Sequence, residues 1–278
     1  MKNLLTRSIT GIVFVGSILL SILLDPIVFA IVMGLYLFGA LWEYCSFFIL
    51  VPQVHLPIKL FIGVAMTLYL LLSGIACWLL DWQSVIFIIP ILLFYVLSEI
   101  WRKKEHPLLN VSAGIFGIFY LVIPFLLTVI LVRNSFPGLP LAIGMFVLIW
   151  TNDSFAYLSG RFIGKTPLFE RISPKKTWEG TLGGVLFTIL AALILAHFFE
   201  RGHSYLFWVV AAILISAASM IGDLFESMIK RSLNIKDSGN VLPGHGGILD
   251  RFDAMIIAAP LYFFWWLFYA YLSSKFGL

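Results

Sequence analysis

Carboxylates set inside apolar runs are the costliest residues in this chain and the first place to look for its chemistry, since a charge at bilayer depth costs at least about 2.5 kcal/mol. In Ser219-Met220-Ile221-Gly222-Asp223-Leu224-Phe225-Glu226-Ser227-Met228-Ile229-Lys230-Arg231, offsets of 3, 4 and 7 put Asp223, Glu226 and Lys230 on one helical face. Asp153, in Trp150-Thr151-Asn152-Asp153-Ser154-Phe155-Ala156-Tyr157, falls within the last turns of another apolar helix. Asp250 and Asp253, three apart, open a further apolar helix at its positive dipole end. A Glu226–Lys230 pair would neutralise itself near the interface but leaves Asp223 and Asp153 unmatched. The stripe therefore predicts a wet cavity or a bound ion. Glu43 and Glu99 each stand alone near the end of an apolar run, which suits a structural role at the interface.

Between the last two acidic helices runs Lys236-Asp237-Ser238-Gly239-Asn240-Val241-Leu242-Pro243-Gly244-His245-Gly246-Gly247. Its glycines, Gly246 and Gly247 among them, let backbone N–H groups approach an anion. His245 can bond a phosphate, help with proton transfer, or simply order the loop; without a second His or Cys at ligand spacing it does not make a zinc site. Carboxylates alone would suit a cation transporter. Here they are interleaved with Lys175, Lys176, Lys230, Arg231, Lys236 and Arg251. Mg²⁺ is usually held by one or two carboxylates plus substrate phosphates, with Lys and Arg clamping the remaining oxygens. The mixed signs point to polyphosphate bound with a divalent metal. Ser173-Pro174-Lys175-Lys176-Thr177-Trp178-Glu179-Gly180 supplies a paired base as a loop. Ser159-Gly160-Arg161-Phe162-Ile163-Gly164-Lys165-Thr166 comes within one residue of a phosphate-binding P-loop, but no strand of an α/β unit precedes it.

The elements that must position these residues are membrane helices. Of 278 residues, 61% are hydrophobic and 12% charged, which excludes a water-soluble globule. Apolar runs predict an all-α, polytopic integral membrane protein of about nine spans, at 8–24, 27–50, 57–80, 83–101, 111–132, 140–160, 180–199, 204–230 and 252–273. Breakers such as Pro26, Pro57, Pro107 and Pro140 fall at or near the starts of runs. The first run has no small-residue cleavage site before Asp25-Pro26, and is expected to be a retained anchor. With the N-terminus cytoplasmic, only Arg133, Arg201 and Lys275 of the 18 basic residues fall outside, so the polar loops are expected to face the cytosol. The net charge of +4 thus reports topology and implies no nucleic-acid partner. Cys45 and Cys77 lie in apolar runs and are expected to be packing residues. Two regions are expected: 1–140, about five spans, and 141–278, about four spans carrying the chemistry.

Ser227-x-x-Lys230-Arg231-x-x-x-x-Lys236-Asp237-x-Gly239-x-x-Leu242-Pro243-x-His245-Gly246-Gly247-x-x-Asp250-Arg251-x-Asp253 resembles, at every specified position, the signature of CDP-diacylglycerol synthases, also called phosphatidate cytidylyltransferases. Asn152-Asp153-Ser154-Phe155-Ala156-Tyr157, Gly160-Arg161 and the 173–180 loop also look like that family, whereas residues 1–140 match only as membrane helices. The resemblance implies transfer of CMP from CTP to phosphatidic acid within the bilayer, releasing pyrophosphate. It further implies Mg²⁺ on Asp223 and Asp250 with Asp253 a candidate, a second, monovalent cation (K⁺), and commonly a homodimer. Together the two readings assign catalysis to Asp223, Asp250, Lys230, Lys236 and His245, and substrate binding to Asp153, Lys175, Lys176, Thr177, Glu179, Arg231, Gly246, Gly247 and Arg251. The alternatives are a CTP-dependent polyprenol kinase and a cation-coupled transporter.

Overall fold

The computed structural model describes residues 2–79, 88–135, 140–198, 204–239, 241 and 246–276. Its helices are α1 (Lys2–Leu24), α2 (Pro26–Ile49), α3 (Ile58–Gly74), α4 (Ile88–Arg102), α5 (Pro107–Gly117), α6 (Ile123–Ser135), α7 (Pro140–Ile163), α8 (Trp178–Phe198), α9 (Tyr205–Ser232) and α10 (Leu249–Phe276). π-Helical turns at Ile75–Leu79 and Ile118–Val122 extend α3 and join α5 to α6. Seven described segments are long and apolar enough to cross a membrane: Pro26–Ile49, Ile58–Cys77, Pro107–Ser135, Leu141–Ile163, Trp178–Phe198, Tyr205–Ser232 and Leu249–Phe276. The protein is a polytopic, helical membrane protein. Of the other two expected spans, Ser8–Leu24 is a shorter apolar helix. The remaining one corresponds to α4, and the start expected for it, at 83, lies outside the described residues.

One element departs from the all-helical expectation. Pro167–Phe169 (β1) and Ser173–Thr177 (β2) form an antiparallel hairpin, pairing Pro167 with Thr177 and Phe169 with Ser173. Pro174 lacks an N–H and steers Ser173 away from helical backbone, so the segment extends where a loop was expected.

The chain divides into two compact units, residues 1–137 with 237–251, and residues 138–236 with 252–278. The glycine-rich loop and the first turn of α10 thus belong with the N-terminal helices. In the first unit, Asp25 caps α2 by accepting from the Ile27 N–H at 2.7 Å, with Pro26 in the first turn. Tyrosines fill gaps left by small residues. Tyr69 packs on Gly34 and donates to the Ala30 carbonyl at 2.8 Å, and Tyr44 packs beside Gly117 and donates to the Ala113 carbonyl at 2.7 Å. Glu99, foreseen as structural, is buried and pairs with Arg102, whose other nitrogen donates to the His55 carbonyl at 2.5 Å.

In the second unit α7 and α8 meet through glycine. Gly160 in the last turn of α7, Gly164 just beyond its end, and Gly180 and Gly184 of α8 fall at four-residue spacing, which lets the backbones approach closely. A Cβ on Gly180 would stand 2.8 Å from the Ala156 carbonyl, and one on Gly184 would stand 2.9 Å from Asn152 Oδ1. Gly184→Leu should therefore cost about 1–3 kcal/mol through overpacking. A lowered midpoint of thermal unfolding in detergent would register it, and an unchanged midpoint would show that the helices can part.

Candidate active site

Close approach of α7, α8, α9 and β2 leaves a cavity of about 410 Å³ in the second unit, within the usual size of a small-molecule site. From α7 it is lined by Asn152, Asp153, Tyr157 and Arg161, and from β2 by Lys175, Lys176 and Thr177. Thr181 of α8 and Ser216, Met220 and Asp223 of α9 also line it. Asp223 sits on the α9 face that also carries Ser216, seven residues earlier. Lys176 and Asp223 form an ion pair, each side chain 29% exposed. Sequence reasoning left Asp223 unmatched; its partner comes from the hairpin, 47 residues away in the chain.

Opposite signs line one small space, so this cavity can hold phosphate oxygens and cations together. Ser216 supports a polar occupant: it is 2% exposed, and its hydroxyl has no hydrogen-bond partner among the described residues.

Next to Asp223, Gly222 removes the obstacle between α9 and α10, for a Cβ there would collide with the Asp253 carbonyl. Asp253 reaches hydrogen-bonding contact with Asp223 and lies in the field of Glu226. Two carboxylates so placed are held together by a cation or a shared proton. Among the described residues no three His, Cys, Asp or Glu side chains stand in ligand geometry. A pair of hard oxygen donors is nevertheless what Mg²⁺ takes from protein when substrate phosphates complete its shell. The residues present fit that ion.

Other predicted residues have different surroundings. Lys230 bonds Glu226 at 3.1 Å, so the intrahelical pair does form. Arg231 is exposed and donates to the Ile235 carbonyl at 3.2 Å, and Lys236 and Arg251 are exposed. Glu179 is absent from the cavity wall. Its carboxylate accepts from the Thr166 hydroxyl at 2.8 Å and from the Lys165 and Thr166 N–H groups at 3.1 Å, tying α8 to the hairpin. Those are the residues that resembled a P-loop. His245 lies outside the described residues.

In the first unit the glycine loop does wrap anions, but they are the protein's own. One Asp250 oxygen accepts from the Gly247 N–H at 2.9 Å and the Ser238 N–H at 3.1 Å. Gly246 adopts φ +84°, a left-handed backbone that glycine enters without strain. Buried Glu43 accepts from the Ile248 and Leu249 N–H groups at 2.8 and 2.9 Å and from the Ser238 hydroxyl at 3.0 Å. The sequence assigned Glu43 a structural role, as an acid inside an apolar helix, but gave no sign of these partners.

A polytopic helical membrane protein with a mixed-charge cavity beside paired carboxylates defines a membrane-embedded enzyme of phosphate chemistry. The chain belongs to the cytidylyltransferase family, whose profile matches residues 5–269. It is 30% identical to a phosphatidate cytidylyltransferase of Haemophilus influenzae, over 94% of this chain and 98% of that protein. It is 34% identical to the enzyme of the same name from Rickettsia bellii over 66% of this chain and 81% of that one. With the Bacillus subtilis phosphatidate cytidylyltransferase the identity rises to 42%, over 42% of this chain and 44% of that protein.

Proposed function

We propose that the protein transfers CMP from CTP to phosphatidic acid, forming CDP-diacylglycerol and pyrophosphate for phospholipid synthesis. The observation that carries this reading is Asp223, which lines the polar cavity, pairs with Lys176 and stands against Asp253. Both reactants are phosphates, so their approach must overcome like-charge repulsion in a partly desolvated space. Lys175, Lys176 and Arg161 supply the cavity's positive charge and would hold the nucleotide phosphates, with Lys176 stabilising charge on the departing pyrophosphate. Ser216 would accept or donate one hydrogen bond to the bound nucleotide.

Asp223 and Asp253 would hold Mg²⁺, which when bound neutralises phosphate oxygens and makes the α-phosphorus a better electrophile; the family signature, rather than any observed contact, assigns Asp250 to the same ion. A phosphatidate oxygen attacks that phosphorus as its bond to pyrophosphate breaks, and no protein nucleophile is needed. The basic loops argue for a site on the cytoplasmic side, with CTP entering from the cytosol and the lipid from the bilayer. A second, monovalent cation (K⁺) and a homodimer belong to the same proposal. They are read out by the K⁺ dependence of turnover and by the mass of the detergent-solubilised particle.

Purified protein given α-labelled CTP, phosphatidate and Mg²⁺ should release pyrophosphate and carry the label into lipid. Release of CDP would instead mark a polyprenol kinase. Solute uptake into proteoliposomes without CTP consumption would mark a transporter.

A further inference from the structure

A carboxylate buried in an apolar helix must find donors close to a full hydrogen-bond complement or remain neutral. Glu43, on α2 and 2% exposed, finds three. Two are the N–H groups of Ile248 and Leu249, which lie at the start of α10, where no preceding turn offers them a carbonyl. Glu43 therefore caps a helix that begins more than 200 residues later in the chain, with its negative charge at the positive end of the helix dipole.

The surrounding residues are shaped for this contact. A Cβ on Gly239 would stand 2.6 Å from Glu43 Oε1, and one on Gly247 would stand 2.6 Å from Oε2. One turn before Glu43 on the same face, a Cβ on Gly39 would collide with the Ile248 side chain. Ser238 joins the two carboxylates: its hydroxyl donates to Glu43 while its N–H donates to Asp250. Leu249, which donates to Glu43, directly precedes Asp250, and Gly247, packed on Glu43, donates to Asp250 at 2.9 Å.

We propose that Glu43 is a positioning residue for the reaction, a latch that fixes Ser238, Gly239 and the Gly247–Leu249 entry into α10 and so aims the Asp250 carboxylate. The inference rests on the reading of Asp250 as a metal ligand. Glu43 touches no reactant and acts through the peptide it holds. Outer-shell partners of metal ligands typically control affinity or activity by about 10–100-fold, and that is the range expected here.

The test combines hydrogen–deuterium exchange with steady-state kinetics on the full chain carrying Glu43→Gln, Glu43→Asp or Ser238→Ala, with Asp250→Asn as reference. Glu43→Gln keeps the shape but turns an amide N–H toward the N–H groups of the loop. Exchange across 237–251 should accelerate about tenfold while peptides of α3 keep their protection. The kcat should fall about 10–100-fold and the Mg²⁺ concentration for half-maximal rate should rise, with KM for CTP within about twofold. Glu43→Asp, which keeps the charge, should recover part of the loss, and Ser238→Ala should give a smaller opening of the same peptide. Unchanged exchange over 237–251, or a rate loss accounted for by lost folded protein, overturns the latch. If Glu43→Gln does not fold, Ser238→Ala carries the exchange measurement. A normal rate in Asp250→Asn would remove the metal assignment and leave the exchange result standing; a dead Asp250→Asn beside a Glu43→Gln of wild-type rate and exchange would remove the latch alone.

Discussion

Asp250→Asn is expected to lower CDP-diacylglycerol formation by about 10³-fold or more while the protein stays folded in the membrane. Losing several kcal/mol of metal-borne charge stabilisation corresponds to that factor. The variant is informative because of how the carboxylate is held. One oxygen accepts from Gly247 and Ser238 N–H groups, and an asparagine carbonyl can accept the same two bonds. The loop should therefore persist, and the change falls on the charge and on the other oxygen. Comparing initial rates across a Mg²⁺ series with melting curves in detergent separates the two effects. Near-wild-type turnover at ordinary Mg²⁺ would refute the metal role for Asp250.

Lys176→Ala should reduce kcat/KM for CTP by about 10²–10³-fold, the usual cost of removing one preorganised charge from a transferring phosphoryl group. Lys176 is partly sheltered, lines the cavity and pairs with Asp223. Its loss removes a phosphate contact and leaves Asp223 without that partner. Lys175 lines the same cavity but is exposed, so Lys175→Ala should cost about tenfold or less, as screening weakens exposed charges. Equal effects of the two substitutions, or a CTP dependence unchanged in Lys176→Ala, would place the nucleotide elsewhere.

Most helices were legible because an apolar run of about 20 residues has few alternatives to a membrane span. The 167–177 hairpin was not, since a short strand in a polar loop leaves no periodicity and depends on Glu179 gripping Lys165 and Thr166 from the start of α8. Within the site, Asp153, Lys175, Lys176, Thr177 and Asp223 were foreseen and do line one cavity. Thr181 and Ser216 were not singled out, because a Ser or Thr in a membrane helix more often bonds its own preceding turn, as Thr188 does with Gly184 at 2.7 Å.

By itself the sequence determined the membrane class, the order of the helices and which charges were too costly to be incidental, because transfer free energy depends on residue type and run length alone. Only the tertiary structure decided what those charges meet. Asp223 turns to Lys176 and Asp253, Lys230 to Glu226, and the glycine loop folds around Glu43 and Asp250. Such pairings depend on how closely glycine lets two backbones approach, as at Gly222 and Gly247, and that distance is set by elements far apart in the chain.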